Sequence, residues 1–182
     1  MSKPSQVILL VEDRRHQQFI RKYLRRLGLE AHAMRFEIAP SGAGSAENWV
    51  RERFPLEVVA YRRRQPQTRL IVLIDADVLT VQQRIRQLDQ ALREGDVAAI
   101  DENVEHIARL VPKRNIETWI LCLNQQAVDE DIDYKRPRND WSGLIASGIE
   151  TLYDWTRPNA AIPPSCVESL QSGIRELRKL PF

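Results

Sequence analysis

Two short runs, Val7 to Val11 and Leu70 to Ile74, each hold five consecutive apolar residues, and both break into acids: "VILLVED" and "LIVLIDADV". A strand that is apolar at every position has both faces covered, which is the condition of a parallel sheet between helix layers. The segment after each run agrees. After the first, Phe19, Ile20, Tyr23, Leu24 and Leu27 recur at helical spacing with arginines opposite, ending at Gly28. After the second, Thr80 and Gln83 make a capping-box pattern, and Val81, Ile85, Leu88 and Leu92 form one helical face that stops at Gly95.

The rest of the chain continues the alternation. Ala33 to Ile38 reads as a strand, and "PSGAGSAEN" opens a helix at Ser45 that holds Trp49, Val50 and Phe54, with a bend expected near Pro55. A short strand at Ala108 to Val111 precedes a helix from about Asn115 to Leu123. Asp140 can cap a segment carrying Leu144, Ile145, Ile149, Leu152 and Trp155; Ser165 with Glu168 can cap another carrying Val167, Leu170, Ile174 and Leu177. The expected fold class is α/β: a mostly parallel sheet with helices on both faces and a helical C-terminal extension. Residues 1–125 make the core and 126–182 the extension packed on it, one domain overall, since 182 residues suffice for one continuous core.

Charge is nearly balanced, 27 basic against 25 acidic side chains, so net charge indicates no partner class. Its distribution is more informative. Arg14, Arg15, Arg21, Lys22, Arg25 and Arg26 crowd one segment, and Arg62, Arg63, Arg64 and Arg69 another; each is either a face for a phosphate backbone or a solvated helix surface. Cys122 and Cys166 show neither zinc-cluster nor disulfide-framework spacing and are expected as buried thiols. No run has the form of a signal peptide or the length of a membrane span, which makes a soluble cytoplasmic protein the expectation.

In parallel sheets ligands gather at the C-terminal ends of strands, where Glu12, Asp13, Asp75 and Asp77 all fall. Alternate residues of a strand share a face, so Asp75 and Asp77 can point the same way at its exit. Two such aspartates plus a carboxylate from the neighbouring strand offer the hard oxygen ligands that Mg2+ takes, with waters left over for substrate phosphates.

The pairing of "VILLVED" with "LIVLIDADV" resembles the Toprim domain of topoisomerases, primases and OLD-type nucleases, whose motifs are a Glu ending strand one and a DxD ending a later strand. The similarity runs from about Val7 to Arg93, and Asp13 departs from the Gly or Ser often found after the Toprim Glu. It implies a Toprim-like, Rossmann-like sheet, with Glu12 as general acid/base or metal ligand and Asp75 and Asp77 as metal ligands. "PKRNIETWIL" is similar to a segment of small stand-alone OLD-like proteins, which implies that Glu117 completes the acidic site. On that likeness Lys113 and Arg114 join Arg14 and Arg15 as phosphate contacts. The implied function is a Mg2+- or Mn2+-dependent nuclease acting on DNA or RNA, in a defence or toxin-like setting with an ATPase partner and with self-association open.

"ILLVED" followed by "LRRLGLEAH" also resembles a response-regulator receiver, in which Glu12 and Asp13 would hold Mg2+ and Asp75 would accept phosphate. The long separation from Asp13 to Asp75 and the lack of a role for Asp77 weigh against it. Three further features take plainer readings. "SGAGSAEN" is a turn in preference to an anion nest; His16, His32 and His106 lack metal spacing, with His16 expected exposed on the basic helix; and Trp49, Trp119, Trp141 and Trp155 are core or interface residues, not a stacking platform.

Overall fold

The structure, a computed structural model, describes residues 4–42, 44–64, 66–136 and 138–182. Strands β1 (Gln6–Val11), β2 (Met34–Ile38), β3 (Thr68–Leu73) and β4 (Ile107–Leu110) form one all-parallel sheet in the order β2-β1-β3-β4. Six helices accompany them among the described residues: α1 (Arg14–Arg26), α2 (Ala46–Arg62), α3 (Val81–Glu94), α4 (Ile116–Leu123), α5 (Trp141–Thr156) and α6 (Glu168–Arg178). The architecture is α/β and consistent with a Rossmann-like fold.

Alternation within the all-apolar strands sorts the core into two layers. Val7, Leu9, Val11, Ile71 and Leu73 face Phe19, Ile20, Tyr23 and Leu24 of α1, together with α4, α5 and α6. Ile8, Leu10, Leu70 and Val72 face Val50, Phe54 and Val58 of α2 and Leu88 and Leu92 of α3. Helices therefore cover both faces, which is why β1 from Val7 to Val11 and β3 from Leu70 to Leu73 have no polar side, whereas the edge strand β2 alternates and turns Arg35 and Glu37 to one face. Ile145, Ile149 and Leu152 of α5 and Leu170, Ile174 and Leu177 of α6 belong to the first layer, so the C-terminal helices are part of the sheet's own core.

Most of the expected helix caps form. Thr80 and Gln83 make both arms of the capping box on α3, and Asp140 caps α5 by accepting from Gly143 N–H. Ser45 caps α2, which continues through Pro55 without interruption. Ser165 does not cap α6. A turn from Pro163 to Cys166 holds it away; the helix starts at Glu168, and the Ser169 N–H is met instead by Glu130 Oε1 at 3.2 Å. In the "SGAGSAEN" turn, Gly42 and Gly44 take φ of +81° and +82°, a region that favours glycine, and Ala43 lies outside the described residues. Cys122 and Cys166 are buried and unbridged. No described helix is long and apolar enough to cross a membrane.

Candidate metal centre

The strand order places the topological switch between β1 and β3: the chain leaves β1 towards β2 over one face and returns to β3 over the other. The C-terminal ends of these two strands are where the two acidic motifs meet. Beyond Leu73 the chain stays in ladder with β4, the Ile74 N–H bonding Leu110 O and the Ala76 N–H bonding Pro112 O. The intervening Asp75 N–H faces β1 and donates to Glu12 Oε1 at 2.5 Å. A main-chain hydrogen bond thus ties the first motif to the second.

Asp13 is the N-cap of α1, its Oδ1 accepting from the Arg15 and His16 N–H groups. That cap sets the first turn of α1 over the sheet end and swings His16 inward. The expectation of an exposed His16 is corrected: its side chain is wholly buried, with Nδ1 2.8 Å from Asp13 Oδ1 and Nε2 3.0 Å from Asp75 Oδ1. Glu12, His16 and Asp75 each bring one ligand atom within 4.8 Å of the others, a group that can hold a metal ion. The i, i+3 spacing of Asp13 and His16 was the available sign, since a helical first turn places these two residues together.

Asp77 stands at the rim. It adopts φ +54°, a left-handed conformation uncommon outside glycine, so it reaches the site through a bend in the loop and not by strand alternation. Lys135, from the segment between α4 and α5, lies with Nζ 3.3 Å from Asp75 Oδ2 and 3.9 Å from Asp77 Oδ1. Arg84, buried on α3, holds the loop from below: Nε donates to Asp75 O at 2.9 Å, one amino group binds Glu47 at 2.6 Å, and the other is 3.6 Å from Asp77 Oδ2. Neither Lys135 nor Arg84 carries a motif by which the sequence could have revealed it.

Glu117 is buried in the first turn of α4 and is not one of the three grouped ligands. Its Oε1 accepts from Arg15, whose guanidinium also lies 4.8 Å from the centre of the Trp141 ring, while its Oε2 has no hydrogen-bond partner. Arg15 is therefore occupied by Glu117 and Trp141. Lys113 pairs with Asp131 at 2.6 Å, Arg114 is half-buried beside the α4 N-terminus, and Arg14 is exposed. The second arginine cluster is elsewhere: Arg62 binds Glu105 at 2.7 Å and Arg64 donates to Gln6 at the opposite, N-terminal edge of the sheet.

Burial pushes the Glu12 carboxyl up to about 7, helped by the charge of Asp75. Burial also raises Asp13, but the hydrogen bond and charge of His16 outweigh it and hold that carboxyl well below the ordinary range. For His16, burial favours the neutral ring, yet Asp75 and Asp13 outweigh it and raise the imidazole pKa. Asp77 is raised by burial first and then by Asp75. The donor set of two carboxylates and an imidazole suits a divalent cation, and Asp75 Oδ2, buried with only the Lys135 ammonium 3.3 Å away, is the ligand atom for which an ion would compete with that lysine. Comparison with protein-family models, curated proteins and solved structures yields no match.

Proposed function

We propose that the protein is a metal-dependent nucleic-acid phosphodiesterase, a nuclease of the Toprim/OLD-like class, cleaving DNA or RNA with Mg2+ or Mn2+. The observation that carries this reading is the buried Glu12, His16 and Asp75 group at the C-terminal ends of β1 and β3, with Asp77 at its rim. Glu12 and Asp75 would hold the ion with His16 beside them, and Asp77 would face the substrate side. A bound divalent ion supplies Lewis-acid polarisation of a phosphoryl oxygen and a more acidic water.

The remaining work falls to the chain's own groups. Glu12 has two roles open to it: it completes the ion's shell beside Asp75, or it stands free of the ion, where its raised pKa suits taking a proton from the attacking water and returning it to the departing oxygen. Arg84 keeps the Asp75 to Asp77 backbone in place, and the Lys135 ammonium, beside both aspartates, is positioned to meet a phosphate oxygen. Exposed Arg14 at the start of α1 and half-buried Arg114 before α4 add charge at the same end of the sheet. The resemblance adds an ATPase partner and a defence role to this proposal.

Incubation with labelled DNA and RNA, with and without Mg2+ or Mn2+, tests it. Cleavage that requires the ion and vanishes in Asp75→Asn is expected; metal-independent or Asp75-independent cleavage would overturn the reading. A receiver-type phosphoacceptor is the second reading, favoured by the β2-β1-β3-β4 order and by a lysine against Asp75. Against it, the Asp75 side chain is wholly buried and Asp13 is committed to His16. Labelling of Asp75 by acetyl phosphate would reverse that preference.

A further inference from the structure

Asp13 has no part in the chemistry above, yet its geometry is specific. One carboxylate oxygen accepts from the Arg15 N–H at 2.8 Å and the His16 N–H at 3.0 Å, and lies 2.8 Å from His16 Nδ1. A carboxylate held by two main-chain donors cannot turn away, so it fixes both the plane of the imidazole and the placement of a proton on Nδ1. Nε2 then points at Asp75 Oδ1, 3.0 Å away, and becomes a nitrogen ligand of fixed direction once an ion displaces the proton it shares with that carboxylate. Carboxylate, imidazole and ion in line is a recurring way to orient a metal-bound histidine and raise its basicity.

We propose that His16 Nε2 is a ligand of the ion, that Asp13 is the positioning residue behind it, and that this nitrogen makes the site select a first-row transition divalent ion over Mg2+. The inference rests on the metal-dependent reading and names the cofactor class it left open. Mg2+ prefers oxygen ligands and gains little from imidazole, whereas Fe2+, Ni2+ and Zn2+ take it readily; Mn2+, the weakest binder of the first-row series, gains less than they do but more than Mg2+.

The test titrates the full chain with Mn2+ and with Mg2+ by calorimetry, and records nitrogen modulation by pulsed electron paramagnetic resonance on protein loaded with one equivalent of Mn2+. Mn2+ should bind at least about 10-fold more tightly than Mg2+, and His16→Gln should erase that ratio mainly by weakening Mn2+. Asp13→Asn keeps a good helix cap but should weaken Mn2+ by about 10- to 100-fold. Imidazole modulation should be present in the native protein and absent from His16→Gln. If His16→Gln does not fold, the native spectrum decides alone: no imidazole signal overturns the proposal, as does an unchanged ion ratio in a folded variant. Ion binding that is lost in Asp75→Asn yet shows no nitrogen signal sinks only this inference; no binding of either ion sinks the metal-dependent reading with it.

Discussion

The ammonium of Lys135 sits 3.3 Å from Asp75 Oδ2 and 3.9 Å from Asp77 Oδ1, so a divalent ion entering between the two aspartates meets a positive charge already there. Like charges about 4 Å apart cost roughly 1–4 kcal/mol between bulk water and a protein surface, and a side chain 41 % exposed belongs near the lower end. Lys135→Met should therefore tighten divalent-ion binding by about 10-fold in calorimetry; weaker binding would mean that Lys135 organises the aspartates and does not compete for them. Glu117 calls for the opposite expectation. Its carboxylate is tied to Arg15, so Glu117→Gln should cost about 1–3 kcal/mol of stability in thermal melts while divalent binding persists. Binding reduced to the same degree as in Asp75→Asn would return Glu117 to the ligand set. Reading a first-turn glutamate from sequence offers two roles, ligand or helix-dipole partner, and the salt bridge to a residue 102 positions away is a third that only the fold creates.

Between elements, close fits decide what can change. A Cβ added at Gly173 of α6 would lie 2.3 Å from Trp119 Cη2 of α4, whose indole Nε1 donates to Ser169 Oγ at 2.7 Å and cannot easily shift. Gly173→Ala should destabilise despite its better helix propensity, because overpacking costs about 1–3 kcal/mol against a gain of at most about 1; an unchanged Tm would show that the ring yields. Where α1 meets α5, the Tyr23 hydroxyl contacts Thr156 Oγ1 at 3.0 Å, and burial pushes its pKa from 10.0 up to about 12. A raised folded pKa gives stability that is complete below pH 10 and declines as pH climbs to about 12, by roughly 2–3 kcal/mol. Tyr23→Phe should flatten that alkaline decline in denaturant melts; an equal decline in both proteins would place its origin elsewhere. At this scale β1, β3, α1 and the α3 capping box were legible because apolar runs, helical periodicity and caps are local signals. The α6 start was not, since its N-terminal amide is met by Glu130, 39 positions back. Nor was the burial of His16, which depends on where the cap at Asp13 sets the helix over the sheet.

Across the whole molecule the sheet has two ends, and they separate arginines that the sequence shows only as two clusters. Glu12, Asp75 and Asp77 lie at the C-terminal end of the strands, with Arg14 at the start of α1, Arg114 before α4 and exposed Arg136 beside Lys135. The Arg62 to Arg64 run closes α2 at the other end, where Arg62 and Arg64 are spent on Glu105 and Gln6. A phosphate backbone running along the candidate site would meet the first group and not the second. Replacing Arg14, Arg114 and Arg136 with Ala should weaken DNA binding and reduce the slope of log affinity against log salt by about 0.9 for each duplex phosphate no longer neutralised. Replacing Arg63 and Arg64 should leave both affinity and slope unchanged. Fluorescence anisotropy with a duplex oligonucleotide from low to moderate salt measures the two sets side by side. A larger slope change from Arg63 and Arg64 would put the nucleic acid at the end of the sheet away from the carboxylates, and phosphodiester cleavage at Asp75 would then have no substrate path.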